Sequence, residues 1–128
     1  MIYLLEDDDS IRDFVIYTLN SQGMEARGFP LPSLFWQAVG EQMPALVLLD
    51  IIMPVMDGFE LLHHMAENHW IDDIPVIMIS SEDSSSSVKK AYEMGVSDYI
   101  SRPFDARVVY RRVFNTIKLY AKQRRLIS

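Results

Sequence analysis

Ala45-Leu46-Val47-Leu48-Leu49-Asp50 runs directly into Ile51-Ile52-Met53-Pro54-Val55-Met56-Asp57-Gly58. An apolar run without polar alternation suits a strand buried on both faces, the pattern of a central strand in a parallel sheet. The run stops at an acid and passes through a proline-containing loop. It then meets Asp57-Gly58, which opens a helix with Phe59, Leu62, Met65 and Ala66 on its inner face. Strand, loop and helix in that order form one βα unit.

The same unit recurs on both sides. Ile2–Leu5 is a first strand. After it, Ile11, Phe14, Val15, Thr18 and Leu19 follow the spacing of one helix face, with capping oxygens in Asp8-Asp9-Ser10 and a stop at Gly23. Met24–Phe29 is a weaker second strand, punctuated by Pro30 and Pro32 and followed by a short helix with Leu34, Phe35, Ala38 and Val39 inward. Pro75–Ser80 is a fourth strand, and a serine-rich turn leads from it to a helix from about Ser86 to Glu93, ended by Gly95. Val96–Ser101 is a short fifth strand. A long last helix follows from about Asp105 to near Arg125, with Val109, Val113, Ile117 and Tyr120 on its buried stripe. Regular alternation predicts an α/β fold: a doubly wound, five-stranded parallel sheet with right-handed crossovers and helices on both faces.

In such a sheet the C-terminal strand ends share one edge, where open α/β folds bind their ligands. Glu6 and Asp7 close the first strand and Asp50 closes the third. Two carboxylates 4 Å apart repel by about 4 kcal/mol at an effective dielectric near 20, so a fold that gathers three calls for a cation. An oxygen-only donor set suits Mg²⁺. A carboxylate beside such an ion can attack a phosphoryl donor, because the cation offsets the approach of negative charge to negative charge.

Composition narrows the classes. The chain has 128 residues, enough for one domain, and its hydrophobic fraction of 49% supports a core. There are no cysteines, which excludes disulfides and thiolate metal sites. No apolar run approaches a membrane span, and the N-terminus lacks the pattern of a secretory signal, so the expected location is cytoplasmic. The net charge of −6 is unevenly distributed: residues 1–105 hold all 18 acids and five bases, whereas residues 106–128 hold seven bases and no acid. That tail reads as a solvated helix face, as a connector to an output domain or, least readily, as a nucleic-acid contact.

Taken together, Glu6-Asp7, Arg12, Asp50 with its Met-Pro-x-Met-Asp-Gly sequel, Ser80, and Tyr99-Ile100-Ser101-Arg102-Pro103-Phe104 give the chain its likeness. It resembles the receiver domain of two-component response regulators over essentially its whole length. The resemblance implies the flavodoxin-like strand order 2-1-3-4-5. It implies that Asp50 is the phosphoacceptor, served by a sensor histidine kinase. Asp7 and Asp50 would bind Mg²⁺ directly, Glu6 would act through a metal-bound water, and the backbone carbonyl of Ile52 would be a further ligand. Ser80 would bond a phosphoryl oxygen, and Tyr99 would be the aromatic switch. The face made by the fourth helix, fifth strand and fifth helix would then change shape for partner binding or homodimerisation. Residues 1–121 would form the receiver, with 122–128 a basic extension towards a possible output domain, and neither membrane nor nucleic acid would be contacted by this domain.

Two positions depart from the family. Arg102 stands where lysine is usual, and Glu6 where aspartate is. Arginine keeps the charge but presents a planar fork in place of a point charge. The departure leaves a receiver that binds partners without phosphorylation as the alternative. An aspartyl-phosphate phosphatase is disfavoured because such enzymes carry a second aspartate two residues after the nucleophile, where this chain has Ile52. A flavin carrier is disfavoured because Glu6-Asp7-Asp8-Asp9 would repel a phosphate. His63, His64 and His69 lack a zinc-site spacing and read as a solvated helix end. In the serine-rich turn, Glu82 is expected to face the site mouth.

Overall fold

The computed structural model describes residues 1–50, 57–80, 85–101 and 104–127, apart from the side chains of 80, 85 and 123–127. Its five strands are β1 (Ile2–Leu5), β2 (Ala26–Phe29), β3 (Leu46–Asp50), β4 (Val76–Ser80) and β5 (Asp98–Ser101). Between and after them lie α1 (Asp9–Ser21), α2 (Pro32–Glu41), α3 (Gly58–Glu67), α4 (Ser85–Glu93) and α5 (Ala106–Ile127). All neighbouring strands pair in parallel, in the order β2-β1-β3-β4-β5. The expected doubly wound fold is therefore present, with β1, β3 and β4 inside the sheet.

Alternation along the strands sorts the core into two layers. Tyr3, Leu5, Val47, Leu49, Val76, Met78 and Tyr99 face one side, against Phe35, Leu61, Leu62, Met65 and Ala91 of α2, α3 and α4. Ile2, Leu4, Leu46, Leu48, Ile77, Ile79 and Ile100 face the other, against Val15 and Leu19 of α1 and Val109 and Val113 of α5. Consecutive residues of one strand thus bury on opposite faces, which is why β1 and β3 read as unbroken apolar runs.

Local chemistry sets the helix ends. The Asp8 carboxylate accepts from the backbone N–H of Ile11 at 3.0 Å and caps α1. Gly23, at φ 81°, lets the chain leave α1, with the N–H of Met24 reaching back to the Leu19 carbonyl at 2.9 Å. Asp57 caps α3 by accepting from the N–H of Glu60 at 2.8 Å.

Some readings shift. Phe14 and Leu34, expected on inner faces, are 38% and 43% exposed. Phe14 sits at the rim of its stripe, against Phe104, and α2 packs through Pro32, Phe35, Ala38 and Val39 instead. Leu61 joins Leu62 and Met65 in the core of α3, while Phe59 and Ala66 are only half-buried. Met24 and Glu25 precede β2 rather than opening it, and Trp70–Asp72 form a short 3-10 turn that the sequence pattern does not show.

Candidate metal and phosphoacceptor site

The sheet register delivers the acids to one edge. The last β1 residue, Leu5, pairs with Leu49 of β3, so Glu6 follows β1 where Asp50 ends β3. Asp50 in turn pairs with Ile79, one residue before the end of β4. One carboxylate oxygen from each of Glu6, Asp7 and Asp50 lies within 4.8 Å of the other two. Among the described residues this is the one group of three acidic, histidine or cysteine side chains that comes so close. Glu6 and Asp50 are 1% and 4% exposed, whereas Asp7 lies open to solvent. Two buried acids thus stand beside one that reaches water.

The acidic run divides its labour. Asp8 caps α1. Asp9 pairs with Arg12, one turn along the same helix. A helix start therefore accounts for the last two acids of Glu6-Asp7-Asp8-Asp9 and leaves the first two to the sheet edge. The Arg12 guanidinium also donates to the backbone carbonyl of Glu6 at 2.8 Å.

At the same edge the Ser80 backbone pairs with Ser101 at the ends of β4 and β5. The Tyr99 ring is 8% exposed and belongs to the core layer under α4. The Ser80 side chain, the Ile52 carbonyl, Arg102 and Glu82 lie outside the described residues.

A second carboxylate centre was not legible in the sequence. Oδ1 of Asp98, at the start of β5, accepts from the Arg112 guanidinium at 2.7 Å, from the Tyr99 N–H at 2.8 Å and from the Tyr92 hydroxyl at 3.3 Å. It thereby ties α4 and α5 to β5. Partial burial, followed by the charge and hydrogen bond of Asp98, raises the Tyr92 phenol above its ordinary pKa, and Arg112 opposes that rise. The Asp98 hydrogen bond and charge raise Arg112 as well. No local pattern announces this centre, because its side chains stand 6 and 14 residues from Asp98.

The histidines are exposed, with His63 and His64 beside Glu67 and His69 beside Asp72. Among the described residues no helix is long and apolar enough to cross a membrane.

Comparison with known proteins agrees with the geometry. A family model, the response regulator receiver domain, matches residues 2–114. The transcriptional regulatory protein GltR of Pseudomonas aeruginosa is 29% identical over 112 residues, which cover 88% of this chain and 46% of GltR. The BeF3-activated receiver domain of DrrB superposes with a TM-score of 0.80 at 26% identity, covering 91% of this chain and 96% of that one. NtrX from Brucella abortus superposes with a TM-score of 0.89 at 28% identity, covering 98% of this chain and 28% of NtrX. The chain spans about half or less of the curated relatives it matches. The family match reaches from β1 into α5 and so takes in every strand that builds the carboxylate edge: the chain belongs to the response regulator receiver domains.

Proposed function

We propose that Asp50 accepts a phosphoryl group from the phosphohistidine of a sensor histidine kinase, in a reaction that requires Mg²⁺. The observation that carries this reading is the convergence of Glu6, Asp7 and Asp50 within 4.8 Å at the C-terminal edge of the sheet. The donors fit the ion: all are oxygens, they crowd negative charge, and one of them reaches water. Glu6, Asp7 and Asp50 would hold it together with the backbone carbonyl of Ile52. When bound, the ion supplies charge neutralisation for the attack of one anion on another.

The chain's own groups do the rest. A carboxylate oxygen of Asp50 forms a bond to phosphorus as the bond from phosphorus to the kinase imidazole nitrogen breaks, and that nitrogen leaves with its electron pair. Attack by water later releases inorganic phosphate and restores the carboxylate. Ser80 and Arg102 are assigned to the phosphoryl oxygens, Arg102 as a guanidinium clamp. The domain thus catalyses only its own phosphorylation and dephosphorylation.

The output is a shift between two conformations, with Ser80 and Tyr99 as the switch and the face of α4, β5 and α5 as the readout. That face offers a partner or a second copy Tyr92 and Leu119, 47% and 58% exposed. Residues 1–121 are assigned to the receiver, and the basic stretch from 122 onward is assigned as a connector to an output domain of a cytoplasmic regulator.

Incubation with acetyl phosphate or phosphoramidate and Mg²⁺, followed by intact mass measurement, tests the reading. One added phosphoryl group is expected, absent without Mg²⁺ and in Asp50→Asn. An unchanged mass in the wild-type protein would instead favour a receiver that works without phosphorylation.

A further inference from the structure

We propose that Arg12 is a positioning residue for the Mg²⁺ site and that Gly28, on the neighbouring strand, holds open the space it needs. The inference rests on the metal reading above. Glu6 and Asp7 both project from the chain just past the last ladder pairs of β1, which are made by Leu5. The Glu6 N–H is held by the Phe29 carbonyl of β2 at 3.0 Å. The Glu6 carbonyl lies beyond the ladder, and the Arg12 guanidinium takes it at 2.8 Å. That carbonyl belongs to the peptide that joins Glu6 to Asp7, so fixing it fixes the two carboxylates relative to Asp50. Asp50 needs no such help, because it is a ladder residue paired with Ile79.

Reaching that carbonyl takes the Arg12 stem across β2. A Cβ on Gly28 would stand 2.6 Å from Arg12 Cγ and 2.8 Å from Cδ, with Ile16 Cγ1 at 3.3 Å. Real side chains do not approach that closely, so any larger residue at 28 displaces the stem and with it the guanidinium. The Arg12 side chain is 16% exposed, and it also holds Asp9, which is 84% exposed. The glycine is thus a space requirement of an arginine 16 residues away, and the arginine a requirement of the turn that carries the acids.

A charge reading and a positioning reading of Arg12 predict opposite signs. If Arg12 acted only as a cation near the site, its removal would tighten Mg²⁺ binding. If it clamps the turn, removal loosens the acids and weakens binding, and Asp9 already offsets part of its charge. Residues that orient metal ligands from behind typically contribute tenfold or more to affinity.

Mg²⁺ titration by calorimetry, with urea unfolding alongside, tests this on the whole chain. Arg12→Met keeps the stem over Gly28 and loses the fork; it is expected to bind Mg²⁺ about tenfold more weakly than wild type. Gly28→Ala should show the same loss, and the double variant should be no weaker than the weaker single one. Arg12→Lys should recover part of the affinity. Unchanged or tighter binding in Arg12→Met, or additive losses in the double variant, would overturn the proposal. So would a loss of urea resistance with an unaltered dissociation constant, the mark of a purely structural arginine. If Gly28→Ala does not fold, Arg12→Met and Arg12→Lys decide the sign alone. Absence of Mg²⁺ binding by the wild-type protein would sink the metal reading itself, whereas normal wild-type binding matched by Arg12→Met would sink only the clamp.

Discussion

Asp50 and Asp98 sit at opposite ends of strands in one sheet, and their surroundings are opposites. Asp98, at the start of β5, has collected a guanidinium, a phenol and a backbone N–H on a single oxygen. Asp50, at the end of β3, is buried with two further acids for company. The first centre joins elements and stabilises the fold. The second gathers like charges, an arrangement that costs stability unless a cation offsets it. Burial alone does not separate the two, since both carboxylates lie largely inside; among the described residues, the charge of the side chains gathered beside each does.

Mg²⁺ should distinguish the two centres most strongly. In urea unfolding, a ligand at 100 times its dissociation constant stabilises a domain by about 2.7 kcal/mol. That gain is expected for the wild type, undiminished in Asp98→Ala and reduced in Glu6→Gln. An equal loss in Asp98→Ala would mean that the two centres are one coupled system.

Without metal, the two aspartates should answer mutation with opposite signs. Asp98→Ala removes the acceptor shared by the Arg112 guanidinium and the Tyr92 hydroxyl, for a loss of about 1 kcal/mol. Asp50→Asn removes one of three mutually repelling charges and should raise stability by about 1 kcal/mol. Urea midpoints in chelator-treated buffer measure both. A destabilised Asp50→Asn would show that the acids are already balanced by the folded chain.

The same contrast explains what the sequence disclosed. An acid that ends an apolar run is visible in one dimension, because the strand brings its own acid to the edge; Glu6, Asp7 and Asp50 were legible for that reason. Strand alternation and the caps at Asp8 and Asp57 are equally local. The Asp98 centre was not legible, since Tyr92 and Arg112 meet it only after α4 and α5 have packed. The fit of Arg12 over Gly28 is likewise a fact of the α1–β2 contact, and glycine in a short edge strand gives no hint of which side chain needs the room. Phe14 and Leu34 show the limit of periodicity: an apolar stripe wider than the helix contact leaves its rim half-exposed.

The smallest effect lies at alkaline pH and belongs to the stabilising centre. Tyr92 is raised above 10.0 in the folded chain, by burial first and then by Asp98. Below that pH the phenol keeps its proton in both the folded and unfolded chain, and its contribution is fully present. As pH rises the unfolded chain loses the proton first, so stability falls until the folded phenol has also titrated. The stability gap between wild type and Tyr92→Phe should therefore narrow as pH rises through the ordinary phenol value and on through the raised one of the folded chain. Because Arg112 holds the Tyr92 pKa down against Asp98, Arg112→Met should carry that narrowing to higher pH. A gap that stays constant across the titration would mean that the hydroxyl contributes no more to the Asp98 centre than a phenyl ring does.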